Sequence, residues 1–237
     1  SRRVYNPMPL NRLTEVLRDH VSDLEEKGTA KGAESIVTGV IPARDDRGPR
    51  FLLEGEGKKE FLRMNSNSYL GMSLRPEVMK AEEAGTARYG AGPGAVRFIS
   101  GTYHAHIQLE AELAAFHGRE ETMIFSSAYA TIMGTISPLI TAETGVISDE
   151  LNHNCIINAI RMARPKEKAV YPHLDMGSLD QSLTEFKNRV DRVLVITDGI
   201  FSMRGDHAPM DEIMALAQKH DGDFPENSSL NTTQVLF

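Results

Sequence analysis

The spacing of hydrophobic positions changes character along this chain. Leu10, Leu13, Leu17, His20, Val21 and Leu24 recur at three- and four-residue intervals, which predicts an amphipathic helix over residues 9–27. Its other face carries Arg12, Glu15, Asp19, Glu25 and Glu26. Residues 28–60 are rich in glycine and charge, with Ile36–Thr38 and Phe51–Leu53 as strand candidates on either side of a polar loop. Pro76 suits the first turn of a helix running to Arg88, because a first-turn residue has no intrahelical use for an N–H. Gly90, Gly92, Pro93 and Gly94 then interrupt regular structure, and a second helix is expected over residues 103–117. From Thr122 onward short apolar runs alternate with helical segments. The strands fall at 122–125, 145–148, 169–171 and 193–197, and the helices at 129–139, 153–163, 178–188 and 209–220. Ser178 with Gln181 reads as a capping box for the third of those helices. Such alternation predicts an α/β fold, a mainly parallel sheet covered by helices. Residues 221–237 are polar, turn-rich and aperiodic, and are expected to form a poorly ordered or irregular tail. The chain thus reads as an N-terminal helix with a small β segment (1–60), a larger α/β region (61–220) and a tail (221–237).

Composition narrows the function classes. A formal charge of -7 over 237 residues argues against a nucleic-acid partner. No run approaches the roughly 18 apolar residues of a membrane span, and no apolar stretch of signal-peptide type follows Ser1-Arg2-Arg3. With Cys155 as the single cysteine, no internal disulfide can form, which fits a reducing compartment. The expectation is a cytoplasmic protein without membrane or nucleic-acid partners. Asn227-Ser228-Ser229 and Asn231-Thr232-Thr233 match the glycosylation sequon, but with no secretory signal in view they are read as plain tail sequence.

Five segments carry candidate chemistry. Asn67-Ser68-Tyr69-Leu70-Gly71 is by itself a turn. The stretch from Gly90 to Thr102 is either a tight loop or one that lets backbone approach a ligand; it lacks the G-K-[ST] of a Walker loop. Phe125-Ser126-Ser127-Ala128-Tyr129-Ala130 joins a predicted strand to a helix, where first-turn amides lack intrahelical partners and small residues admit a phosphate. Ser148-Asp149-Glu150-Leu151-Asn152-His153 again leads from strand to helix; His153 is either a helix-end hydrogen bonder or a catalytic group, and has no second metal ligand at helical spacing. Finally, Thr197-Asp198-Gly199-Ile200-Phe201-Ser202-Met203-Arg204-Gly205-Asp206 follows the apolar run Val193–Ile196, and open α/β sheets place ligands beyond the carboxyl ends of their strands. Asp198 and Asp206 are read as ordering this turn, and His173, His207 and His220 as structural or exposed.

The last segment resembles the T-[DE]-G-x-F-S-M-x-G-D signature of the α-oxoamine synthases, and the other four resemble motifs of the same family in the same order. The run Gly90 to Glu110, with Arg97, Phe98, Gly101, Thr102, His106 and Leu109, is similar to the pattern of its 2-amino-3-ketobutyrate CoA ligases. The resemblance implies the fold of aspartate aminotransferase (fold type I), with residues 61–220 forming part of the cofactor-binding large domain. It implies pyridoxal 5'-phosphate (PLP) as cofactor, amino acid and acyl-CoA as substrates, and a homodimer. It further implies that the Tyr129 and Ala130 N–H groups bind the cofactor phosphate, that His153 stacks on its ring, that Ser202 contacts its phenolic oxygen and that Asn67 lies on the substrate side. Ser68, Ala130, Ile132, Asn154 and Cys155 depart from the family's usual residues. The family's D-[DES]-x-H strand and its cofactor-bearing lysine do not follow Asp206 here. The chain is therefore expected to be an inactive N-terminal fragment or alternatively ended product of a longer enzyme; the alternative is a lysine-less partner or regulatory subunit.

Overall fold

A computed structural model describes residues 8–221. The expected tail beyond it lies outside the described residues. The chain divides into two compact units between Gly94 and Ala95, further along than the change of composition near residue 60.

In the first unit, α1 (Met8–Glu26) forms where the apolar spacing placed it. Its stripe of Leu13, Val16, Leu17 and Val21 is about half exposed. Strands β1 (Val37–Ile41) and β2 (Arg50–Leu53) pair antiparallel, with an irregularity between Val37 and Gly39. Phe51 is the buried residue of this ribbon; it exchanges both backbone hydrogen bonds with Phe61, and the Arg63 guanidinium lies 4.4 Å from its ring centroid. Helix α2 (Pro76–Tyr89) has its proline in the first turn and ends at Gly90, whose φ of 83 suits a residue without a side chain.

The second unit is built around β3 (Thr144–Asp149), all six residues of which are buried. It pairs in parallel with β4 (Glu167–Tyr171) on one side and β5 (Arg192–Ile196) on the other, giving the order β4-β3-β5. Because side chains alternate along a strand, Val146 and Ile147 point to opposite faces. Ile147 belongs to a core with Leu179, Leu183 and Phe186 of α6 (Met176–Phe186) and Ile213 of α7 (Met210–Lys219). Val146 belongs to a core with Ile132 and Ile136 of α4 (Ala128–Leu139) and Ile156 and Ile160 of α5 (Asn154–Ala163). A parallel strand covered by helices on both faces must be apolar throughout, which is why Gly145-Val146-Ile147 shows no alternation in sequence. Gly145 is required by packing: a Cβ there would sit 2.7 Å from Phe186 Cδ2 and 3.0 Å from Val190.

Two sequence expectations are corrected. Residues 122–125 do not form a strand. No neighbouring strand offers them a ladder among the described residues; instead the Ile124 N–H donates to Glu110 Oε1 at 2.9 Å. Glu110 lies on α3 (His104–His117) and takes a two-pronged bond from Arg97, at 2.5 and 3.0 Å. Arg97, with the Ile124 N–H, holds the Glu110 carboxyl down to about 2. The arginine and glutamate of the glycine-loop motif thus tie the loop, α3 and the approach to α4 together. Arg97 opens a π turn to Gly101, where a Cβ would collide with the Ala95 carbonyl oxygen. The second correction concerns α6: its N-cap is Asp175, which accepts from the Ser178 N–H at 3.0 Å, so Ser178 lies inside the helix and the capping box does not form.

Candidate active site

Of the segments expected to carry chemistry in the second unit, those of His153 and Ser202 follow the carboxyl ends of β3 and β5, whereas that of Tyr129 and Ala130 opens α4 without a preceding strand. Ser127 caps α4: its Oγ accepts from the Ala130 N–H at 3.1 Å. The Ala130 amide is therefore already engaged, and the free first-turn donors are those of Ala128 and Tyr129, which as first-turn amides have no intrahelical carbonyl. Ser126, Ser127 and Ala128 are small and exposed, leaving that end of the helix open to an anion, which its dipole favours. Tyr129 is partly exposed, and its hydroxyl accepts from Asn158 Nδ2 at 2.8 Å; the same Nδ2 donates to Asn154 Oδ1 at 2.7 Å. These bonds place the beginnings of α4 and α5 side by side. Ile132, which replaces a polar family residue, is 1% exposed and belongs to the core, so it offers nothing to a ligand.

His153 is the N-cap of α5 and is exposed. Its Nδ1 accepts from the Cys155 N–H at 3.2 Å and lies 2.9 Å from Cys155 Sγ. An accepting Nδ1 leaves the proton of the neutral ring on Nε2. The Cys155 thiol is buried and its pKa raised by that burial, which suits a packing role and not a nucleophile. The backbone N–H of His153 donates to Asp198 Oδ2 at 2.7 Å, so the loops after β3 and β5 meet at this residue. Burial raises the Asp198 pKa, and the nearby Asp149 charge adds to the effect; the His153 N–H opposes both.

Asn152, next to His153, joins the loops of the candidate site although no local pattern singles it out. It is buried at 4% exposure; its Nδ2 donates to Ser148 Oγ at 2.9 Å and to the Ile196 carbonyl at 2.7 Å, and its Oδ1 accepts from the Asp198 N–H at 2.7 Å. Its only mark in the sequence is its place inside the S-D-x-L-N-H motif. Ser202 is exposed on the turn Phe201–Asp206, and among the described residues no hydrogen bond joins it to His153. Asn67 is exposed in the first unit, just before the 3-10 turn Met72–Leu74. His173 and His220, read as structural or exposed, have little-exposed side chains that meet carboxylates: His173 with Asp149 and Asp206, His220 with Asp180.

The sequence profile described as aminotransferase class I and II matches residues 59–222. This chain belongs to that family. Within it, the similar proteins are α-oxoamine synthases, which are PLP-dependent. The 8-amino-7-oxononanoate synthase of Exiguobacterium sibiricum is 37% identical over 87% of this chain and 50% of its own length. The human mitochondrial 2-amino-3-ketobutyrate coenzyme A ligase is 39% identical over 89% of this chain and 48% of its own. Among solved structures, serine palmitoyltransferase from S. paucimobilis superposes with a TM-score of 0.74 at 27% identity, over 86% of this chain and 49% of that one. The chain spans about half the length of the curated relatives it matches. The α/β architecture is the PLP-dependent transferase fold.

The residues present fit the phosphate and one ring face of PLP. The open first turn of α4 suits the phosphate, and the exposed, tautomer-fixed imidazole at the start of α5 suits the ring. They do not fit the cofactor's covalent attachment. The second unit holds four lysines. Lys166 precedes β4 and pairs with Glu143, and Lys168 lies early in β4. Lys187 ends α6 on the way to β5, and Lys219 ends α7 against Asp180. None stands at the carboxyl ends of the strands.

Proposed function

We propose that this chain carries the cofactor-binding half of an α-oxoamine synthase, a PLP-dependent acyltransferase that condenses a glycine-like amino acid with an acyl-CoA to give an α-amino ketone. The observation that carries the reading is the joining of two helix starts at one end of the sheet. The Tyr129–Asn158–Asn154 bonds join the starts of α4 and α5, and the Asp198–His153 bond ties the loop after β5 to the same place, which supports a shared site for the α4 amides and the His153 ring.

In this reading the Ala128 and Tyr129 amides, with the Ser127 hydroxyl, hold the phosphate. The Ala130 amide, given to the phosphate by family resemblance, acts first through Ser127. His153 covers one ring face and excludes water, Asp198 and Asn152 hold His153 in place, Ser202 approaches the phenolic oxygen, and Asn67 keeps its substrate-side role. PLP, when bound, supplies an electron-withdrawing ring that stabilises negative charge at the α-carbon of the amino acid. Proton removal from that carbon needs a base that none of the four lysines is placed to provide, so this chain alone does not turn over. The complete enzyme is a cytoplasmic homodimer in this reading.

The test is titration of purified chain with PLP, followed by borohydride reduction. The expected result is saturable quenching of PLP fluorescence that is lost on His153→Ala, with no single lysine labelled after reduction. Failure to bind PLP overturns the cofactor-site reading. Specific labelling of one lysine overturns the inactivity. Acyltransferase activity that appears only on adding a lysine-bearing family member favours the partner-subunit alternative.

A further inference from the structure

His173 is the ring around which the end of β3 and the Ser202 turn are assembled. Asp149, the last residue of β3, is 1% exposed; its Oδ1 accepts from the Leu151 N–H at 2.8 Å and its Oδ2 from the Leu174 N–H at 3.1 Å. His173 Nδ1 lies 2.9 Å from Asp149 Oδ1, and its Nε2 lies 3.1 Å from Asp206 Oδ2. An ionised carboxylate only accepts, so the ring can bond both carboxylates at once only as the imidazolium, donating from both nitrogens. The Phe201 ring packs edge-on against it, centroids 4.4 Å apart, and Phe201 is itself 2% exposed.

The base of the turn is also held by Phe201, which packs in the core with Tyr171 and Leu179, by the Arg204 N–H, which donates to the Phe201 carbonyl at 3.1 Å, and by the Ala208 N–H, which donates to the Gly199 carbonyl at 3.1 Å. Phe201 N–H donates to the Asp206 carbonyl at 3.0 Å, Gly205 N–H to the Phe201 carbonyl at 2.7 Å, and Ile200 and His207 form a single bridge. Beyond that base Ser202 and Met203 are exposed, Met203 at 95%. Both residues closing the turn, Phe201 and Asp206, rest on His173. The His173 ring and the core around Phe201 therefore share in setting the direction of Ser202, which follows Phe201 directly.

We propose that His173 is a positioning residue: clamped between Asp149 and Asp206, it fixes the base of the 201–206 turn to the end of β3 and so aims Ser202 at the candidate cofactor site. The clamp stands on the geometry alone; its consequence for cofactor binding rests on the function proposed above for Ser202.

The titratable and charged groups facing the clamp are Asp149 and Glu150 at the end of β3, Tyr171 at the end of β4 and Asp198 after β5, both of which feel the Asp149 charge, and Asp206 and Arg204 on the turn. Glu150 Oε1 accepts from the His173 backbone N–H at 2.9 Å, and Arg204 Nε lies 3.0 Å from Asp206 Oδ2. The hydrogen bond to Asp149 raises the His173 pKa, Asp206 adds to it, and burial opposes. Burial pushes the Asp206 pKa up, but the His173 bond and the Arg204 charge together outweigh it and lower it. A histidine whose folded pKa is raised stabilises fully below its unfolded value and loses that contribution as pH climbs through the folded one. The clamp should accordingly be tightest on the acid side of about 6.5, above the carboxylate range, and loosen as pH rises.

The test is amide hydrogen exchange on the full chain, corrected for intrinsic rates, in wild type, His173→Gln and Asp206→Asn. In wild type, protection at Phe201, Arg204 and Gly205 should fall as pH rises past the histidine range, with Val146–Ser148 of β3 unchanged. Both variants should lose about ten-fold of that protection and remove its pH dependence. Asp206→Asn should keep protection at Leu151 and Leu174, because the Asp149 side is intact, and it serves if His173→Gln does not fold. Wild-type protection of the turn in Asp206→Asn, or a loss spread equally over β3, overturns the proposal. PLP affinity measured on the same samples separates the two readings. If wild type binds no PLP the cofactor reading fails, and exchange still decides the clamp. If wild type binds and Asp206→Asn binds equally despite a loosened turn, the aiming of Ser202 is refuted.

Discussion

Replacing Asn152 with alanine is the substitution whose cost the structure specifies most directly. The amide makes three hydrogen bonds, to Ser148 Oγ, to the Ile196 carbonyl and from the Asp198 N–H, at 2.7–2.9 Å. At about 1 kcal/mol net for each, their loss amounts to about 3 kcal/mol. The side chain is 4% exposed, so water does not readily take its place, and the Ile196 carbonyl and Asp198 N–H are left unpaired. That keeps the cost at the upper end of the range. Against a total stability of about 5–15 kcal/mol this is a large fraction. With a urea slope of about 2 kcal/mol/M, the midpoint should drop by about 1.5 M at unchanged slope. Hydrogen exchange should show the Asp198 amide losing protection before the centre of β3 does. Asn158→Ala is the matched control: it removes the bonds to Tyr129 and Asn154 at a more accessible position and should cost less than about 1 kcal/mol. An Asn152→Ala midpoint within the range of that control would refute the inference that Asn152 carries the junction between the β3 and β5 loops.

Gly145→Ala should destabilise by about 1–3 kcal/mol in the same urea assay, because the new Cβ meets the Phe186 ring and Val190 inside a closed core; an unchanged midpoint would show that the β3–α6 packing is looser than these distances state. Asp198→Asn should behave in the opposite sense to most site substitutions. Burial raises the Asp198 pKa, so the charged form is disfavoured in the folded state, and the cost grows as pH rises through the folded value. An asparagine oxygen can still accept from the His153 N–H, so the variant should unfold at higher urea than wild type at neutral pH and converge with it in acid. A lower midpoint at neutral pH would mean that the charge itself holds the His153 loop. Leu179→Ala, at a residue with no exposure, should cost about 2–5 kcal/mol by calorimetry, and a smaller loss would show that α6 collapses onto the vacated space.

The alternation of apolar runs with helical spacing was enough to place the four α-helices described after residue 122 and three of the four expected strands, because a strand buried on both faces and an amphipathic helix each leave a local signature of period and length. The motifs likewise marked where chemistry belongs, since Ser127, His153 and Asp198 each follow an apolar run within a few residues. What sequence could not decide was anything that depends on a partner distant in the chain. Residues 122–125 have the composition of a strand, yet a strand exists only where a neighbour completes its hydrogen bonds, and the Ile124 N–H goes to Glu110 instead. Ser178 and Gln181 have the spacing of a capping box, but Asp175 captures the cap because the chain enters α6 three residues earlier. By chain position the Ala130 amide is an open first-turn donor, but the Ser127 side chain takes it. Asn152 and His173 carried no decisive local pattern: their weight comes from partners 46 and 33 positions away, Asp198 and Asp206, that only the parallel crossing of β3, β4 and β5 brings to one end of the sheet. Local periodicity is written residue by residue and survives in the sequence, whereas the satisfaction of a buried polar group is a property of the assembled interior.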